Sequence, residues 1–141
     1  MSNIRYLRRK DHRLSEQLFR LRQLYPEAKV YIKRDVLYWD GYLRPTAMSD
    51  TYHIQISYKK RYRPKVLLSG DNVRGFDKGN FPHQFKLDSE HKMAQICLHL
   101  NGEFNSYMFI ADTIIPWTVE WLYFYEIWLA TGEWHGDKKP V

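Results

Sequence analysis

The chain has 141 residues, enough for one domain that buries roughly two-thirds of its unfolded surface without disulfides or a structural metal. An aromatic share of 16% excludes a disordered chain, and the single cysteine excludes an intramolecular disulfide framework. The net charge of +6 is uneven: Arg5, Arg8, Arg9, Lys10, Arg13, Arg20 and Arg22 crowd the front against only Asp11 and Glu16, which suits an acidic protein partner or a solvated helix face better than nucleic acid.

The amino terminus has no apolar stretch of the secretory kind, which predicts a cytoplasmic protein. The expected organisation is a single domain over 1–141, with a core from about 11 to 132 and a short flexible tail over 135–141. From Asp11 to Leu24, Leu14, Leu18, Leu21 and Leu24 recur at helical spacing with arginines between them, predicting one buried stripe and an end before Pro26. Val30 to Arg34, Val36 to Leu43, Tyr52 to Tyr58 and Lys65 to Leu68 are rich in β-branched and aromatic residues. With turn formers such as Asp40-Gly41 and Arg44-Pro45 between them, they predict a four-stranded antiparallel meander. In Tyr52 to Tyr58 the alternation assigns Tyr52, Ile54, Ile56 and Tyr58 to a face packed on the helix, and His53, Gln55 and Ser57 to the other.

Residues 69–95 lose periodicity and gather Gly70, Gly75, Gly79 and Pro82, which predicts a long irregular loop of the kind that carries function. Ile114 to Thr131 is apolar nearly all round, with Trp117, Trp121, Phe124 and Trp128 at helical spacing, and predicts a central core helix. Asp112 or Thr113 is placed to cap it, Pro116 is tolerated in its first turn, and Gly132 stops it. Glu120 and Glu126 interrupt the segment, so it is not expected to span a membrane.

Helix, meander, Tyr62-Arg63-Pro64-Lys65-Val66, a loop containing Phe81-Pro82-His83, then Ile96-Cys97-Leu98 and a helix: in this order the segments resemble the ubiquitin-conjugating enzyme family from about Leu14 to Gly132. The Trp-rich run from Trp121 to Trp134 is similar to that of the bacterial branch, the conjugating-enzyme-like proteins of CBASS anti-phage operons. The resemblance implies an α+β fold with an N-terminal helix, a four-stranded meander, a catalytic-cysteine loop and a central C-terminal helix. It further implies that Cys97 carries the carboxyl terminus of a cGAS-like nucleotidyltransferase as a thioester and passes it to an amine. Whether a separate activating enzyme takes part is left open.

The family's turn before the cysteine is His-Pro-Asn; here Pro82 is kept and both neighbours differ. Its oxyanion-stabilising asparagine therefore has three candidate counterparts, Asn80, His83 and Asn101. Thioester transfer needs an ionisable thiol that is also a good leaving group, and Cys97 is the only thiol. His83 is the candidate oxyanion donor or base for the amine, and His99, two residues past the cysteine, a second catalytic candidate, while His91 is a third imidazole that can approach the thiol. Asn80, Pro82 and Asn101 are the candidate substrate contacts. Tyr62, Arg63 and the loop from Asp71 to Asn80 are expected to form a groove for an extended tail.

No metal or cofactor is expected. A zinc site from His91, Cys97, His99 and a fourth ligand lacks the paired spacing of structural zinc, and no phosphate-binding glycine loop is present. Three other readings stay open: a catalytically inactive module that binds the synthase, a basic RNA-binding protein, and a cysteine hydrolase that cleaves such conjugates.

Overall fold

The computed structural model describes residues 10–76, 81, 84–88, 90–98 and 104–136, and of residues 84–87 only the backbone. Helix α1 spans Leu14–Leu24 and is followed by strands β1 (Lys29–Lys33), β2 (Val36–Leu43), β3 (Tyr52–Tyr58) and β4 (Lys65–Ser69). A hairpin of β5 (Gln84–Asp88) and β6 (Met93–Ile96) comes next, then a single 3-10 turn at Ile110–Asp112 and the long helix α2 (Ile114–Thr131). The class is α+β, as the resemblance implies, with one six-stranded sheet in the order β1-β2-β3-β4-β6-β5 and every pair antiparallel.

The first four strands form the expected meander, but the sheet does not stop there. Two segments of the expected irregular loop pair with each other, and β6 pairs onward with β4. The strands are short, five and four residues, and the glycines and prolines around them mask their alternation. Asp40-Gly41 is likewise no turn: it lies inside β2, where a Cβ on Gly41 would stand 2.6 Å from the Trp39 ring. The turn falls at Arg34-Asp35, both at positive φ (52 and 64), the pattern of a two-residue hairpin loop whose twist matches the strands it joins.

The period-2 reading of β3 holds residue by residue. Tyr52, Ile54, Ile56 and Tyr58 are buried, while His53, Gln55 and Ser57 are half-buried on the other face. The buried face meets α2 through an edge-on contact of Tyr52 with Tyr125, ring centroids 5.9 Å apart. Within α2, Trp121, Leu122, Tyr125 and Trp128 are fully buried, whereas Trp117 and Phe124 are only half-buried, so Tyr125 shares the innermost position with two of the tryptophans. Each fully buried side chain of this size contributes about 1.5–3 kcal/mol by leaving water. Gly132, at φ 80, closes the helix, its N–H donating to the Trp128 carbonyl. Pro116 sits in the first turn, where its missing N–H is not needed.

Two expectations about helix faces are corrected. Leu24 is exposed, and Gln17 is fully buried in its stead, its amide donating to the Met108 carbonyl at 2.7 Å and accepting from the Ile110 N–H at 2.9 Å. A buried amide with both ends satisfied is compatible with the core. The α2 cap also differs: Thr113 holds the cap position, but its hydroxyl donates to the Phe109 carbonyl at 2.7 Å, and Asp112 receives the Arg20 guanidinium at 3.1 and 3.2 Å. Part of the basic front is therefore structural, since Arg22 also donates to the Val30 carbonyl at 3.0 Å. No helix among the described residues is long and apolar enough to cross a membrane.

Candidate active site

Strand β6 is the inner strand of the hairpin, paired on one side with β4 and on the other with β5. Its last residue, Ile96, stands opposite both Val66 and Gln84, and Cys97 follows at once. From Ala94 to Leu98 burial alternates: Ala94, Ile96 and Leu98 are buried, Gln95 and Cys97 half-buried. That alternation gives Ile96 and Leu98 to the core and turns Cys97 away from it. Ile96 and Leu98 belong to the buried core and border a small depression with Arg63, Pro64, Phe104 and Trp117, so the cysteine's neighbours are packed on both sides. Lys65 precedes Val66 as Cys97 follows Ile96, which puts a cation and the thiol at the same end of the β4–β6 pair.

Phe81 is the residue whose role the sequence did not disclose. It is 7% exposed and sits among four rings: Phe76 (centroids 5.3 Å), Trp121 (6.2 Å), Tyr125 (5.6 Å) and Trp128 (5.5 Å). It anchors the chain in the core before β5 begins. Its signal was present, an aromatic next to Pro82 in a polar stretch, but nothing local shows which rings receive it.

His91 is not brought to Cys97. It lies in the turn between β5 and β6, beyond Met93, and Met93 and Cys97 are four residues apart, about 13 Å of extended strand. Its Nδ1 and backbone N–H instead reach the Asp88 carboxylate at 2.8 and 3.2 Å. Those hydrogen bonds hold the Asp88 carboxyl below its ordinary range. His91 and Cys97 therefore do not share a metal site, and no group of three or more potential metal ligands occurs among the described residues.

The expected tail groove is also divided. Tyr62 and Arg63 precede β4 and line a cavity with Tyr58, Arg61, Phe104, Asn105 and Ser106. The segment after β4 lies at the strand's other end, where Asn72 donates to the Thr51 carbonyl at 2.8 Å and Arg74 is bonded to Tyr125. Asn80, Pro82, His83, His99 and Asn101, the other candidate site residues, lie outside the described residues.

A further polar cluster, which sequence reading did not find, occupies the outer face of the sheet. His53 Nε2 is 2.7 Å from Asp40 Oδ1, its Nδ1 is 3.2 Å from the Ser69 hydroxyl, and Gln55 donates to the other Asp40 oxygen at 3.1 Å. Three adjacent strands supply these groups, and Tyr42 stacks on the imidazole at 5.1 Å. The contacts tie the strands together; only strand register, invisible in the linear order, aligns them.

Compared with protein families, residues 17–140 match the model of the E2-CBASS family, described as Type II CBASS E2 protein. No curated protein matches the chain.

Proposed function

The chain belongs to the Type II CBASS E2 proteins, and on that premise we propose that it is a ubiquitin-conjugating-like transferase of anti-phage defence, working in the cytoplasm through Cys97. The Cys97 thiolate attacks the activated carboxyl terminus of a cGAS-like nucleotidyltransferase, expels the activating group and holds the terminus as a thioester. An amine then attacks that carbonyl, the amide forms, and the thiolate leaves. The substrate of this step is a terminus that arrives already joined to its activating group, which departs as Cys97 takes its place.

The observation that carries this reading is the placement of Cys97: half-buried, at the end of an inner strand, between two side chains locked in the core. A nucleophile held by rigid neighbours meets its substrate without further ordering. The reading assigns His83 to the tetrahedral oxyanion or to the attacking amine, with His99 as second acid or base and Asn80, Pro82 and Asn101 along the bound tail. In support, the residues flanking Pro82-His83 are both fixed: Phe81 in the core, and Gln84 opposite Ile96, the neighbour of Cys97.

The test is intact-mass analysis of the protein after co-expression with the nucleotidyltransferase encoded beside it. Wild type should carry a thiol-sensitive adduct, Cys97→Ser a thiol-resistant ester, and Cys97→Ala none. If Cys97→Ala matches wild type in adducts and in phage resistance, the protein is a binding module and the transferase reading is wrong.

A further inference from the structure

The β3–β4 turn carries a motif that the thioester chemistry does not use. Lys59-Lys60-Arg61-Tyr62-Arg63 sets four cations around one aromatic ring. The turn borders a cavity of about 300 Å³, closed on its other side by Phe104, Asn105 and Ser106, with Tyr58 beneath. That size is at the lower end of the roughly 300–1,000 Å³ typical of small-molecule pockets.

The lining is built for a small, flat anion. Arg61 and Arg63 bring two guanidinium forks, whose planar donors match phosphate oxygens two at a time. Arg61 holds φ at 76 inside the turn that the Tyr62 N–H closes on the Lys59 carbonyl at 2.9 Å. The Tyr62 ring is 64% exposed and has the Lys59 ammonium 5.5 Å from its centre, a surface on which a heteroaromatic base can stack. Asn105 also lines the cavity, its amide nitrogen donating to the Tyr107 hydroxyl at 3.4 Å and its amide oxygen within reach of a base edge. Asp11 is not part of the lining but accepts from the Ser106 hydroxyl at 2.6 Å. Tyr58 beneath is 1% exposed, and burial, with the Asp11 charge, raises its hydroxyl's pKa, so it is neutral under an incoming anion.

We infer that this cavity binds a phosphate-bearing ligand of mononucleotide size, with Arg61 and Arg63 on the phosphate and Tyr62 under the base. An extended polynucleotide fits less well, because it needs a continuous basic track. Arg20 and Arg22 on helix α1 are held on Asp112 and the Val30 carbonyl and do not extend such a track. An acidic peptide would use the guanidinium groups but not the ring and amide together. The inference rests on the cavity alone and is independent of whether Cys97 forms a thioester.

Isothermal titration of the full-length protein with AMP, adenosine, inorganic phosphate, an oligoglutamate peptide and single-stranded oligoadenylate decides it. AMP should bind saturably at one site, at least about tenfold tighter than adenosine or phosphate. Arg63→Gln and Arg61→Asn should each weaken AMP about tenfold, and asparagine tolerates the left-handed backbone at position 61. Tyr62→Leu should weaken AMP while leaving phosphate unchanged. The inference is overturned if AMP does not bind, if it binds all four proteins equally, or if phosphate binds as tightly as AMP. Binding of the peptide or oligoadenylate in preference to AMP also overturns it.

Discussion

Tyr125 and Arg74 are joined twice: the Tyr125 hydroxyl accepts from the Arg74 N–H at 2.8 Å and donates to the Arg74 carbonyl at 2.7 Å. One buried side chain on α2 thereby satisfies both backbone groups of a residue in the segment that leaves β4. The pair ties the start of the long β4–β5 connection to the helix on which Phe81 also rests. Tyr125→Phe removes both bonds and leaves two backbone groups to find other partners. The expected loss is about 1–3 kcal/mol of unfolding free energy, read as a lower urea midpoint at unchanged slope.

Burial pushes the Tyr125 hydroxyl up from 10.0 to about 12. A folded-state value above the unfolded one means that the native state binds more protons at high pH. Its contribution is complete below pH 10 and is lost between pH 10 and 12, roughly 3 kcal/mol in all. Tyr52, raised by burial and by its hydrogen bond to Glu126, adds a slope of the same sign. Urea titrations from pH 8 to 11.5 should show stability falling above pH 10, and falling less steeply in Tyr125→Phe.

Gly75, beside Arg74, combines a φ of 95 with a Trp128 ring carbon 2.6 Å from where a Cβ would stand. Gly75→Ala must therefore accept backbone strain and displace a fully buried tryptophan, at an expected cost of about 3 kcal/mol or more. Gly132, at φ 80 with nothing within 4 Å, isolates the backbone component. Gly132→Ala should cost about 1 kcal/mol, and equal thermal midpoints for the two variants would show that Trp128 yields easily.

Gln17 joins α1 to the approach of α2 through both ends of its amide. Gln17→Ala orphans the Ile110 N–H and the Met108 carbonyl and leaves a void, which should cost about 2–4 kcal/mol by urea denaturation. Gln17→Glu keeps the shape but sets a carboxylate against the Met108 carbonyl. Burial raises that carboxyl's pKa, so the variant should be least stable at neutral pH and recover as pH falls through the raised value.

Phe81 anchors the chain just before the Pro82-His83 dipeptide. Phe81→Ala should cost about 3–5 kcal/mol for the vacated ring site. If this anchor also orders the surroundings of Cys97, thiol modification by a disulfide reagent under native conditions should accelerate in the variant. Phe81→Leu, which refills most of the volume, should restore the stability and the slow rate together.

Local periodicity carried much of the fold. Tyr52 to Tyr58 alternates strictly, and a two-residue period has one solution on a half-buried strand. Ile114 to Thr131 is apolar nearly all round, which marks a core helix even though Glu120, Tyr123 and Ala130 stay exposed, and Gly132 stops it because a left-handed residue is needed there. Cys97 stood out as the one thiol, and the order of segments around it carried the family. These signals lie within one element and are therefore written in neighbouring residues.

What tertiary structure alone decided are the contacts between distant residues that look ordinary singly. The β5–β6 hairpin is two short runs among turn formers, and it becomes part of the sheet only because β4 offers β6 an edge. Gln17 reads as a surface glutamine until Met108 and Ile110 meet both ends of its amide. Phe81 reads as a loop aromatic until four rings close on it, and His91, a neighbour of Cys97 by residue type, is carried to the far end of the strand. In each case the stabilising partner is set by strand register or helix docking, and a linear pattern of residue types encodes neither.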